Sequence, residues 1–154
     1  MEKQITDTTR SMGIVVAATV FLATAFGIAG AVYGPIGDVD GDMFDIIRYG
    51  QLALAVMAAV QASVMNRALT TKLEKAETVE AKLAVYKART IIVVAGAEGA
   101  ALFAGIALLL TGAHVLLIPA FVLFAVVVAV MFPTPARVRQ ALTGNPPDAK
   151  DKYV

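Results

Sequence analysis

Four apolar runs, each about as long as a membrane is thick, limit this chain to few architectures. They cover positions 13–33, 47–68, 90–111 and 115–132. Twenty residues of α-helix rise about 30 Å, the depth of the hydrocarbon layer. In that layer every backbone amide needs a partner within the protein, which leaves helices or closed barrels. Runs of this length without strict alternation read as helices. Composition agrees. Only 16% of residues are charged and 58% are apolar, where a soluble domain carries about 25% charged residues. The mean hydropathy is +0.75. The sequence predicts an all-α polytopic membrane protein, with four transmembrane helices in an up-down bundle. It forms one domain over positions 1–154, with a cytoplasmic tail at 133–154.

The first run follows Arg10, as a signal peptide would. It is too long for a typical signal core, and Tyr33-Gly34-Pro35 makes a poor small-residue cleavage site. Charge sets the orientation. The segment between the first two runs holds Asp38, Asp40, Asp42 and Asp45 and no Lys or Arg. The middle segment holds Arg67, Lys72, Lys75, Lys82, Lys87 and Arg89, and Arg137 and Arg139 follow the fourth run. The positive-inside rule places the middle segment and both termini in the cytoplasm of a bacterial inner membrane. Tyr33 and Tyr49 then mark the outer interface as an aromatic belt would.

Thr71-Lys72-Leu73-Glu74 has the spacing of a capping box, and no Gly or Pro follows until after Ala95. This predicts a turn near Leu69-Thr70 and one helix from Lys72 to Leu110, extended into the cytoplasm. Leu73, Ala76, Glu80, Leu83 and Lys87 fall at alternating three- and four-residue spacing. Two of the five are charged, so a solvated helix near the headgroups fits better than a coiled coil.

Glu98 is the one acidic residue inside a span, about 12 Å along the helix from Thr90. A carboxyl group at that depth is expected to face the bundle interior or a subunit interface. Counting depth from the cytoplasmic side puts Gln61 and Thr19 at the same level. A Glu98–Gln61 hydrogen bond with Thr19 nearby would act as interhelical polar glue. The same three residues could instead hold a proton or cation. Small residues form a second signal. Gly27, Gly30, Ala31 and Gly34 on the first span and Ala97, Ala101 and Gly105 on the third allow close backbone approach. The packing could lie within a subunit or between subunits.

Asp38, Asp40 and Asp42 alternate in the outer segment and form a weak candidate cation site, since calcium prefers several oxygen ligands. No glutamate completes an EF-hand loop. Asp42 as N-cap of the second helix, with Asp45 at its third position, is the simpler reading. His114, in the short turn 111–114, reads as an interfacial polar residue, and Gly144-Asn145-Pro146-Pro147-Asp148 as a turn-rich tail. There is no cysteine, one histidine, and a formal charge of +1. Thiolate chemistry and multi-histidine metal sites are excluded, and nucleic-acid binding has no charge basis. Ser63 has no histidine on its side of the membrane, so no activated nucleophile is visible. The reading is a non-enzymatic protein without cofactors. It is a structural or accessory subunit of a homo- or hetero-oligomeric complex, contacting membrane lipids.

Tyr86, Arg89, Glu98-Gly99, Ala101-Leu102-Phe103, Leu109-Leu110-Thr111-Gly112 and Phe132-Pro133-Thr134 carry a resemblance over about 82–142. In these residues the chain resembles a family of small four-helix inner-membrane proteins of Bacteroidetes-type bacteria. At Ala141 that family has an acidic residue. The resemblance implies a fold and a location, and no activity. The run from Glu98 to Gly105 is also similar to the ion-binding helix of rotor-ring proteolipids of ion-driven ATPases. That similarity implies reversible binding of a proton or sodium ion at Glu98. Those proteins carry the carboxylate on the second or fourth span; here it is on the third.

Overall fold

The computed structural model describes residues 1–36, 39–112 and 117–144. These contain five helices and no strand: α1 (Glu2–Tyr33), α2 (Gly41–Lys75), α3 (Val79–Thr111), α4 (Leu117–Met131) and α5 (Pro135–Thr143). Three of them, α1, α2 and α3, are long and apolar enough to cross a membrane. The number is four if α4 and α5, which meet at a 64° bend, count as one broken span. The bend falls at Phe132-Pro133-Thr134. There proline ends one helix, and Thr134 caps the next by accepting the Arg137 N–H.

The centre of the fold is α3, which packs against α1, α2 and α4. Half of its most apolar eighteen-residue stretch is buried, against 17% for α1 and 11% for α2. The rest of those surfaces is apolar and exposed. Ile14, Phe21, Ile28 and Val32 line the outside of α1, and Val56, Val60 and Val64 that of α2. Large outward apolar faces of this kind suit lipid, not water.

Two cores divide the molecule. The first joins Val16 and Ala23 of α1, Ala62 of α2, Val94, Ala97 and Ala101 of α3, and Phe124 and Val127 of α4. A small alanine cluster, Ala58, Ala100, Ala104 and Ala120, extends it. The second core lies where α1 and α3 begin and α2 ends. Ile5, Leu73, Leu83 and Tyr86 pack there on Val138 and Leu142 of α5. This end is also the basic one.

Several expectations are corrected. The chain does not turn at Leu69-Thr70. It continues as α2 to Lys75 and turns at 76–78, where Thr78 caps α3 by accepting the Ala81 N–H at 3.1 Å. Thr71 is an interior residue of α2 whose hydroxyl donates to the Arg67 carbonyl, so its capping-box spacing goes unused. Lys72 and Lys75 in the last turn of α2 favour a helix end there. Leu73 and Leu83 therefore sit on different helices. Both are buried with Tyr86, so this stretch is not a solvated helix. α3 does begin well before its apolar run. Positions 135–143, within the expected tail, form a helix packed on α1 and α3. At the other end Asp40, not Asp42, caps α2, accepting the Met43 N–H at 2.8 Å. Pro119 falls in the first turn of α4, where the missing N–H costs no helical hydrogen bond.

Candidate functional site

Of the residues expected beside Glu98, Gln61 lies on a different side of the central helix. Gln61 rests against Gly96, where a Cβ would meet its amide group at 3.5 Å. Glu98 follows two positions later, about 200° around the helix. It falls seven residues before Gly105, nearly on the same face, and a Cβ at Gly105 would touch the Phe26 backbone at 3.1 Å. Gln61 thus faces the α2 side of α3, and Glu98 the edge toward α1. For Gln61 the depth matches and the azimuth does not. No hydrogen bond joins Glu98 to Gln61, and Thr19 donates instead to the Val16 carbonyl at 2.8 Å. Among the described residues Glu98 makes no hydrogen bond and is half-buried. Beside it on the outer surface of α3 run Ile91, Ala95, Gly99 and Ile106, all exposed. A Cβ at Gly99 would meet nothing.

The small residues of α1 and α3 meet each other. A Cβ at Gly30 would lie 2.8 Å from the Gly105 carbonyl oxygen and 3.1 Å from the Leu108 side chain. A Cβ at Gly27 would strike the ring of Phe121 on α4 at 2.7 Å. Gly34 approaches the Leu108 carbonyl, and Ala97 and Ala101 are fully buried. These stripes therefore serve contacts within the chain. In the acidic segment, Asp40 is committed to its cap and Asp42 is exposed in the first turn of α2. Asp38, His114 and positions 145–148 lie outside the described residues. Among the described residues no three His, Asp or Glu side chains gather as metal ligands.

The basic end contains a feature that sequence reasoning missed. A cavity of about 470 Å³ opens between the end of α2, the first turns of α3 and the α4–α5 bend. Lys82, Arg89 and Arg137 line it, with Glu74 as the single carboxylate among the described residues. Each cation is anchored. Lys82 Nζ donates to the Leu142 carbonyl at 2.9 Å, and Arg89 Nε to Asn66 Oδ1 at 2.7 Å. Arg137 Nη1 donates to the Ala129 and Phe132 carbonyls at 3.0 and 2.9 Å, closing the end of α4. Lys82 and Arg89 stand on α3 and Arg137 on α5, so the set assembles only because the chain bends after α4. Only the charge bias of the middle segment hinted at such a site. No known protein family, curated protein or solved structure matches the chain.

Proposed function

We propose that the chain is a non-enzymatic, multi-pass inner-membrane protein acting as a structural or accessory subunit of a larger membrane complex, with itself or with other subunits. Its four apolar runs would form an up-down bundle, with termini and basic end in the cytoplasm. The carrying observation is the position of Glu98. Its carboxyl group is half-buried at the edge of an exposed strip containing Ala95 and Gly99, and makes no hydrogen bond within the described residues. Lipid contact for such a group is costly, whereas a second subunit can both cover it and supply a partner. Small residues beside it allow a helix to approach closely. Cross-linking and size measurement in native-like lipid should give a defined complex that Glu98→Leu weakens. Monomer alone, with no reproducible partner, would remove this reading. Orientation has its own test. Asp42→Cys should react with an impermeant external reagent, and Lys75→Cys should not.

A second reading is proton or cation handling at Glu98. It gains from the absence of a bond to Gln61, which leaves the carboxyl group unlocked. Proteoliposomes carrying the parent chain or Glu98→Gln separate the two readings. Glutamine keeps shape and hydrogen-bonding capacity but cannot titrate. Flux lost with assembly intact favours ion handling. No parent flux under pH or sodium gradients excludes it.

A further inference from the structure

We propose that the cavity at the basic end binds a phosphate-bearing headgroup, that of an anionic phospholipid in the adjoining leaflet. The proposal is independent of assembly at Glu98. Its chemistry comes from three cations and, among the described residues, one carboxylate lining a single recess. Two are guanidinium groups, whose planar forks suit phosphate oxygens. Both are held from behind: Arg89 through Nε by Asn66, and Arg137 through Nη1 by two carbonyls at the end of α4. The Nη groups of Arg89 and Nη2 of Arg137 make no hydrogen bond within the described residues and remain as donors. Such anchoring lowers the ordering cost of binding. A volume of about 470 Å³ is ample for a glycerophosphate headgroup.

Placement favours a lipid over a soluble phosphate compound. Thr90, the first residue of the third apolar run, lines the cavity, so the recess sits where hydrocarbon gives way to headgroups. Val130 and Met131 form its apolar wall. Val130 is exposed, as are Val126 and Val122 one and two turns back along α4. This ridge leads away from the cavity over the outer surface of the bundle and offers a track for an acyl chain. Basic recesses between helices at a cytoplasmic interface suit anionic headgroups.

The test uses the full chain in a neutral detergent, titrated with phosphatidylglycerol or phosphatidylcholine and read by native mass spectrometry and melting temperature. Phosphatidylglycerol should be retained selectively and raise the melting temperature. Arg89→Gln and Arg137→Gln should each reduce that retention by about fivefold. Arg67→Gln removes the same charge from an exposed position of α2 at this end and should leave retention unchanged. Equal retention of both lipids, or equal loss in all three variants, overturns the proposal. Protection by millimolar inorganic phosphate equal to that by phosphatidylglycerol would overturn the lipid and assign a soluble phosphate ligand. Should the arginine variants fail to fold, a benzophenone amino acid in place of Gln140, which lines the cavity, keeps the question open to measurement. It should cross-link to phosphatidylglycerol in the otherwise parental chain. The same cross-link to phosphatidylcholine at equal yield counts against the site.

Discussion

The two cores of this molecule hold together by different means. In the apolar stretch, α1 and α3 approach until the Gly30 and Gly105 backbones touch, and α2 and α4 close over alanines. Phe124, Val127 and Met131 of α4 fill the space beside these small residues; lipid outside is as apolar as protein inside, so association depends on close packing. At the basic end, large residues from four helices bury one another: Ile5, Leu73, Leu83, Tyr86 and Leu142. These residues lie outside the apolar runs, among charged side chains, where burial gains from the hydrophobic effect as in a soluble core. This end also pins three cations by hydrogen bonds to carbonyls or to Asn66. One chain therefore joins a core set by close backbone approach to one set by the burial of large side chains.

The sharpest way to break this contrast is to add bulk at the close approach. Gly30→Leu would drive a side chain into the Gly105 carbonyl and Leu108. Unfolding in mixed micelles should show a loss of about 3 kcal/mol, the upper range for overpacking. Gly99→Leu, where a Cβ meets nothing, should leave the single chain's stability unchanged and act only on assembly. Equal losses in both would mean that the close approach does not distinguish the apolar core.

Removal of bulk comes next. Leu142→Ala in the basic-end core should cost about 2 kcal/mol, the lower range for buried leucine, because α5 lies at the rim and can partly collapse. The loss should be local. Limited proteolysis should cut α5 sooner, while the span stretches keep their protection. General exposure of the whole chain would show that the two cores unfold as one unit.

Much of this architecture is legible in the sequence. The apolar runs mark the spans because membrane thickness imposes a length that soluble helices need not meet. Glycine spacing marks the close face of α1, since Gly27, Gly30 and Gly34 fall near one another on the helix surface. The turn at 76–78 is harder to find. Thr71 and Thr78 both present capping chemistry, and tertiary packing of Leu73 against Leu83 and Tyr86, together with Lys72 and Lys75 at the end of α2, favours Thr78. The Glu98 site shows a second limit. Helix rise gives depth from residue counts, but the direction of a side chain depends on which neighbour lies on which side of α3. Gly96 toward Gln61 and Gly105 toward Phe26 fix those sides only in three dimensions. The basic cavity was hidden for the same reason, since Arg137 reaches it only after α4 bends.

The position of the turn can be sharpened by comparing two threonines. Thr78→Ala removes the acceptor for the Ala81 N–H and should cost about 1 kcal/mol. Thr71→Ala removes a hydroxyl that bonds only to the preceding helical turn and should be nearly neutral. Denaturant unfolding of the two variants side by side gives the difference. A larger effect at Thr71 would restore the turn to Leu69-Thr70.

The smallest effect belongs to the ion pair between α1 and α5. Arg139 Nη2 approaches Glu2 Oε2 at 3.3 Å, linking the first turn of α1 to α5. Both side chains are exposed, at 38% and 70%. Water weakens their attraction, salt screens it, and two long side chains lose freedom to form it. Ile5 and Val138, at 1% and 0% exposure, already hold these two helices together within the buried cluster. Glu2→Gln should therefore lower stability by less than about 1 kcal/mol, and the difference from the parent should vanish in high salt. Ile5→Ala should have a several-fold larger effect that salt does not reduce, because the area it removes from contact is apolar. If Glu2→Gln instead equals Ile5→Ala, charge and not burial holds the basic end closed. The contrast between the two cores would then need an electrostatic account in place of a packing one.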